Sequence, residues 1–259
     1  MAQVALGTVL LLSEWDWTGA ERSLQRALDV LPGFAEAHLW YGALLDATGR
    51  LDEGLESKRR ALECAPDSPA VLTEISISYF HQRCYDDALV WARRALERNP
   101  VQPLAYKYEA MSLLKKGDHA GFGDVLVERA HRLGRSITWG EPGKPPNRRA
   151  AILNYLADTT RSPRSDGASA ARLALVSGFL GDFTLAFHQL DAAMAEREAP
   201  IIYLAVSPLW DALRAHPGFD KRVRELGLPM TTCGRPLAFC DPAPLEGTTL
   251  CARDVCDTR

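Results

Sequence analysis

Four cysteines, Cys233, Cys240, Cys251 and Cys256, crowd the last 27 residues of this 259-residue chain, and four thiolates can close a tetrahedral zinc site. Their spacings are six, ten and four intervening residues, whereas structural zinc sites use pairs about two to four residues apart. Only the last pair approaches that. Disulfides would need an oxidising compartment, and a targeting signal is not expected, because no Lys or Arg precedes the apolar run Val4 to Leu12 and the first basic residue is Arg22. The expectation is an irregular tail with incidental cysteines and no metal, with the zinc and disulfide readings open beside it. The histidines do not gather: His38, His81, His119, His131, His188 and His216 have no Cys, Ser or paired acid at a triad or metal spacing. Gly121-Phe122-Gly123 lacks the further glycine, the lysine and the preceding strand of a phosphate loop. Asp86-Asp87 and the Glu14-Asp16 group stand where helices begin, so capping and dipole roles account for them. No catalytic residue, enzyme activity or cofactor is expected.

Charge narrows the partners. The net charge of −3 argues against a generic polyanion binder. One stretch is basic: from Arg129 to Arg164 there are eight basic residues against Glu141 and Asp158. It has few interleaved aromatics, which is the pattern of a solvated loop, and nucleic acid is not an expected partner of this chain. Val4 to Leu12 is apolar but too short to span a bilayer. A cytoplasmic location is therefore expected.

The positioning elements follow from a repeat. Ala27, Ala61 and Ala95 are 34 residues apart, and Pro32, Pro66 and Pro100 keep the same step. Counting from Met1, position 20 carries Ala20, Gly54, Ala88 and Phe122, position 24 carries Leu24, Lys58, Ala92 and Leu126, and Ala130 continues the alanine column with a slip of one. Small residues at positions 20 and 27 mark close helix crossings, where Gly54 fits and Phe122 does not. Gly49 and Gly117 read as turns within pairs, and each proline as the break between units. The beat fails after Gly134, resumes at Ala168 with Gly181 at a turn and Ala186, Leu190 and Ala193 in register, and ends after Pro229. This gives four repeats over 1–134, a loop-rich basic insertion with one short helix over 135–167, a fifth pair plus capping helices over 168–230, and an irregular Cys-containing tail over 231–259.

A 34-residue period with two helices per unit resembles the tetratricopeptide (TPR) family. The implied fold is all-α: a TPR-type right-handed superhelix of antiparallel helix pairs with a short helical C-terminal cap and an irregular tail. The stretches 13–22 (Ser13 to Arg22), 37–42 (Ala37 to Gly42) and 201–219 (Ile201 to Phe219) resemble the TPR arrays of bacterial winged-helix transcriptional regulators, adenylate cyclases and protein kinases. That resemblance implies the partner-binding part of a regulatory or signalling protein, or alternatively a fragment whose active domain lies upstream. The apolar face of Val4, Leu11 and Leu12 is expected to lack a cap, which points to a fragment and leaves homo-association through the first repeat open.

By the same resemblance, the first helices of successive pairs line a concave groove. The groove positions are Leu39, Ala43 and Asp46, then Thr73, Ile77, Phe80 and His81, then Lys107, Met111, Leu114 and Lys115. The set is apolar with charged edges and lacks most of the Lys, Asn and Arg residues of a carboxylate clamp. An extended or helical peptide with apolar anchors is the expected partner. On this reading, charged residues in place of Phe80 and Met111 abolish partner capture without unfolding.

Overall fold

The computed structural model describes residues 1–134 and 169–228, and these are all-α with no strand among them. Four antiparallel pairs run in chain order. The first is α1 (Ala2–Val9), continued by a π-helical turn (Leu10–Glu14), with α2 (Trp17–Val30). Next come α3 (Ala35–Ala47) with α4 (Leu51–Cys64), and α5 (Pro69–His81) with α6 (Tyr85–Arg98). The fourth pair is α7 (Pro103–Lys116) with α8 (His119–Arg132). Each pair packs internally and each second helix packs on the first helix of the next pair, while α1, α3, α5 and α7 also meet one another. That last set of contacts is what makes the first helices a continuous inner face.

The turns within pairs show how the sequence sets the pitch. Gly49, Gly117 and Gly181 all adopt left-handed φ near +80°, where a Cβ would be penalised. The same step of 34 residues puts Trp15 and Arg83 in the left-handed region as well, at φ 56° and 65°. Those two non-glycine residues cost about 1 kcal/mol each, which tertiary contacts made by their side chains must offset. Just beyond the turns, the Asp16, Asp118 and Asp182 carboxylates accept from the backbone N–H of Gly19, Gly121 and Leu185 at 2.8–3.0 Å, each capping a second helix.

Small residues at the crossings behave as the register requires. Ala20, Ala61, Ala88 and Ala95 are fully buried. A Cβ on Gly42 would stand 2.7 Å from Lys58 Cγ and 2.8 Å from the Gly54 carbonyl, so α3 and α4 approach to backbone contact there. Phe122 occupies the equivalent place in the fourth pair and is fully buried, but among Met111, Leu114 and Leu209.

A fifth pair, α9 (Ala170–Leu180) and α10 (Phe183–Ala195), buries Ala186, Leu190 and Ala193 completely, at the places the repeat register gives them. Glu198 then caps α9 by accepting from the Ala170 N–H at 2.7 Å and from the Ser169 hydroxyl. From there two 3-10 turns, Ala199–Tyr203 and Pro208–Trp210, lead to the short helices α11 (Asp211–Arg214) and α12 (Pro217–Glu225). This segment does more than cover the end of the fifth pair. Residues 199–211 run along the inner face of the array as a strap, and α12 ends at the first repeat, where the Trp17 indole N–H donates to the Leu226 carbonyl at 2.9 Å.

The strap corrects the expectation for the N-terminal unit. Val4 and Leu11 are buried with Ala20, Leu24 and Ile202, and Tyr203 packs on the same cluster. Arg197 reaches the Ser13 carbonyl and stacks 4.8 Å from the Trp15 ring centroid. The apolar face expected to be bare is covered by the chain's own distant segment; Leu6 and Val9, at 47% and 51% exposure, are the large apolar residues left outside on α1. The expected short helix near 149–160, the basic loop and the cysteine tail lie outside the described residues. Among the described residues, no helix is long and apolar enough to cross a membrane.

Candidate functional site: the inner face and its strap

Most of the residues expected to line an open groove do share the inner face, but the face is filled. Ala43 packs with Leu44, Ala47 and Ile202 of the strap. Ile77, Phe80, Met111 and Leu114 form one cluster with Leu209. His81 stacks on Tyr203 at a centroid distance of 4.7 Å, and Lys115 donates to Asp211 at 3.1 Å. Thr73 is buried with its hydroxyl donating to the Pro69 carbonyl, and Leu39 turns instead to the cluster of Leu55, Val71 and Ile75. The open groove is thus corrected to an occupied one: an apolar face this size stays dry only if something covers it, and the strap does. A charged residue at fully buried Phe80 would cost the fold as well as any partner.

Two ionic arrangements anchor this face. The first is buried. The Lys58 ammonium, fully enclosed, lies 2.8 Å from Asp46 Oδ2 and 2.9 Å from Glu74 Oε2, and donates to the Glu74 carbonyl at 3.2 Å. The Ser78 hydroxyl donates to the same Asp46 oxygen at 2.7 Å. Burial works against the Asp46 charge, yet Lys58 and His81 outweigh it and hold the carboxyl below its usual range. Burial likewise opposes the Lys58 charge, and Asp46 and Glu74 overcome it to hold the ammonium above its usual value. The second arrangement ties the strap down. Arg83 donates both terminal nitrogens to the two Asp211 oxygens, each at 2.7 Å, and Lys115 joins them. A forked guanidinium–carboxylate pair fixes orientation as well as contact, which accounts for the left-handed backbone at Arg83.

Lys58, Glu74, Ser78, Arg83, Tyr203 and Asp211 were not among the expected site residues. One signal was available. Lys58 stands where the other repeats carry Leu24, Ala92 and Leu126, and a lysine in an apolar column calls for a buried acid nearby.

His81 gives this face a pH dependence. Among the described residues neither ring nitrogen has a hydrogen-bond partner, and Nδ1 stands 3.8 Å from Asp46 Oδ2. Burial pushes the imidazole below its ordinary value, with Lys58 pushing the same way against Asp46 and Glu74. A histidine buried neutral takes up its proton more readily when unfolded. Stability is then expected to be full above pH ~6.5 and to fall below it, at up to about 1.4 kcal/mol per pH unit, until the folded-state value is reached. Asp46 adds a further loss only below pH ~4. Urea midpoints measured between pH 5 and 8 should flatten in His81→Phe; an unchanged slope would assign the effect elsewhere.

Among the described residues, no group of three or more His, Cys, Asp or Glu side chains could hold a metal ion. Residues 10–69 match the family model described as Tetratricopeptide repeat. None of the curated proteins matches the chain. Similar solved structures include a mutant O-GlcNAc transferase of Thermobaculum terrenum, at 20% identity and TM-score 0.48 over 51% of this chain. The matched part is 25% of the transferase chain, so this chain spans about a quarter of it. Pseudomonas aeruginosa pilF matches at 17% identity and TM-score 0.48, over 78% of this chain and 93% of that one. MamA matches at 15% identity and TM-score 0.45, over 76% and 90%.

Proposed function

We propose that this tetratricopeptide-repeat array is a non-catalytic protein-interaction scaffold whose inner face receives an apolar segment that carries an acidic side chain. The observation that carries the reading is the strap itself. Ile202, Tyr203 and Leu209 enter the apolar clusters of the first helices, and Asp211 engages Arg83 and Lys115. These are the contacts a partner segment would make: apolar anchors for affinity and a charged fork for register. In the folded chain the strap holds the face in cis, so a partner of the same chemistry competes with it.

The regulatory or signalling setting is the finer part of this reading and rests on the resemblance of 13–22, 37–42 and 201–219. These distant stretches meet in the fold: Trp15 and Trp17 pack on the C-terminal core, and Trp40, Tyr41, Ile202 and Tyr203 share a cluster.

A peptide with the sequence of residues 199–214 tests the receptor. Leu209→Ala with Asp211→Asn weakens the strap, and the labelled peptide should bind this variant saturably in fluorescence anisotropy, while a scrambled peptide does not. If the variant keeps its helical circular dichroism and the peptide fails to bind, the inner face is not a receptor.

A further inference from the structure

His81 lies where the strap crosses α5. It is 2% exposed, and the Tyr203 ring of the strap stacks on it at 4.7 Å. The titratable and charged groups that face the imidazole come from each element packed against it. Asp46 stands on α3, Lys58 on α4, Glu74 on α5 itself, Tyr108 on α7 at a ring distance of 6.4 Å, and Tyr203 on the strap. Among the described residues none of them hydrogen-bonds either ring nitrogen. The Asp46 oxygen that Nδ1 approaches already accepts from Lys58 and Ser78. The Tyr203 phenol stays neutral, because burial and the nearby Glu74 and Asp46 carboxylates hold its proton on. With the strap closed, an imidazolium here would be a buried cation without a hydrogen bond, which is costly.

The strap is the one wall of this site that does not belong to a repeat. With Tyr203 lifted away, water reaches the imidazole while Asp46 and Glu74 stay beside it, and both conditions favour the cation. Opening the strap and taking up a proton are then linked.

We propose that His81 is a proton-operated release for the strap: mild acidification opens residues 199–211 and frees the inner face for a partner of the same chemistry. The consequence for a partner rests on the reading of this face as a receptor, whereas the opening needs no partner. The sign follows from the two states. The open state takes up the proton as an ordinary histidine does, and the closed state takes it up less readily, because burial pushes the imidazole down. The opening constant is therefore level above pH ~6.5 and rises below it, by up to about tenfold per pH unit. The fork at Asp211 does not share this response. Burial works against the Asp211 charge, yet Arg83 and Lys115 outweigh it and hold the carboxyl below its usual range, so the fork stays charged through the same window.

Amide hydrogen exchange of the full chain between pH 8 and 5, corrected for intrinsic rates, tests the release. Protection of residues 199–211 should fall by up to about tenfold per unit below pH ~6.5, while α4 and α6 keep theirs. His81→Phe should hold the strap's protection level across the range. Leu209→Ala, which weakens the strap and leaves His81 in place, should show the wild-type slope from a lower starting protection. Unchanged protection of the wild-type strap down to pH 5, the same loss in His81→Phe, or an equal loss in α4 and α6 would overturn the release. The labelled 199–214 peptide should also bind the wild-type chain more tightly at pH 5 than at pH 8. If the strap opens on acidification and the peptide still fails to bind, the release stands and the receptor reading falls.

Discussion

Asp46→Ala is expected to lower the unfolding free energy at pH 7 by about 3–5 kcal/mol in a urea titration, against about 1 kcal/mol for Ser78→Ala. The difference lies in what each leaves behind. Removing the carboxylate strands the Lys58 ammonium, which is fully enclosed and keeps only the more exposed Glu74 as counter-charge. Removing the Ser78 hydroxyl deletes one hydrogen bond to an acid that Lys58 still neutralises. The pair is not thereby a large net contributor, since desolvating two charges consumes most of what their attraction returns. Asp46→Leu with Lys58→Met should accordingly cost much less than the two single changes added together. A loss below about 1 kcal/mol for Asp46→Ala would mean that water reaches the cluster.

That cluster also marks where sequence reading stopped. Periodic features were legible because each has a local cause: Gly49, Gly117 and Gly181 need only their own backbone conformation to end a helix, and Ala27, Ala61 and Ala95 need only the crossing beside them. Arg83 holds the same turn position as Gly49 and Gly117 yet carried no turn signal, because its reason for being there is Asp211, 128 residues away. Ala43, Ile77, Phe80, Met111 and Leu114 stand on first helices and pack into the clusters that the strap enters. What covers them was not legible. The strap is built from 3-10 turns with no helical period, and resemblance located its sequence without giving its destination. Lys58 was in plain view, but an isolated lysine in an apolar column only becomes a buried ion pair once α3, α4 and α5 are brought together.

The strap leads to the second large effect. Phe80→Ala should cost about 3–5 kcal/mol and Leu209→Ala about 2–5 kcal/mol, and because the two side chains share one cluster their effects should not add. Phe80 sits on α5 at the centre of the array, edge-on to Tyr108 at 5.2 Å and tilted to Tyr85 at 5.6 Å, so its loss should loosen the third and fourth repeats and lower the global denaturation midpoint. Leu209 belongs to a segment held by a few anchors, with Asp211 beside it on Arg83 and Lys115. Its loss should favour local opening, in which residues 199–228 release while the four N-terminal pairs stay folded. Amide hydrogen exchange separates the two: Leu209→Ala should raise exchange in the strap and in the face it covers, leaving α4 and α6 protected, while Phe80→Ala should raise it across α5 to α8. If Leu209→Ala instead exposes every helix together, strap and array unfold as one unit, and a partner could reach the inner face only through global unfolding.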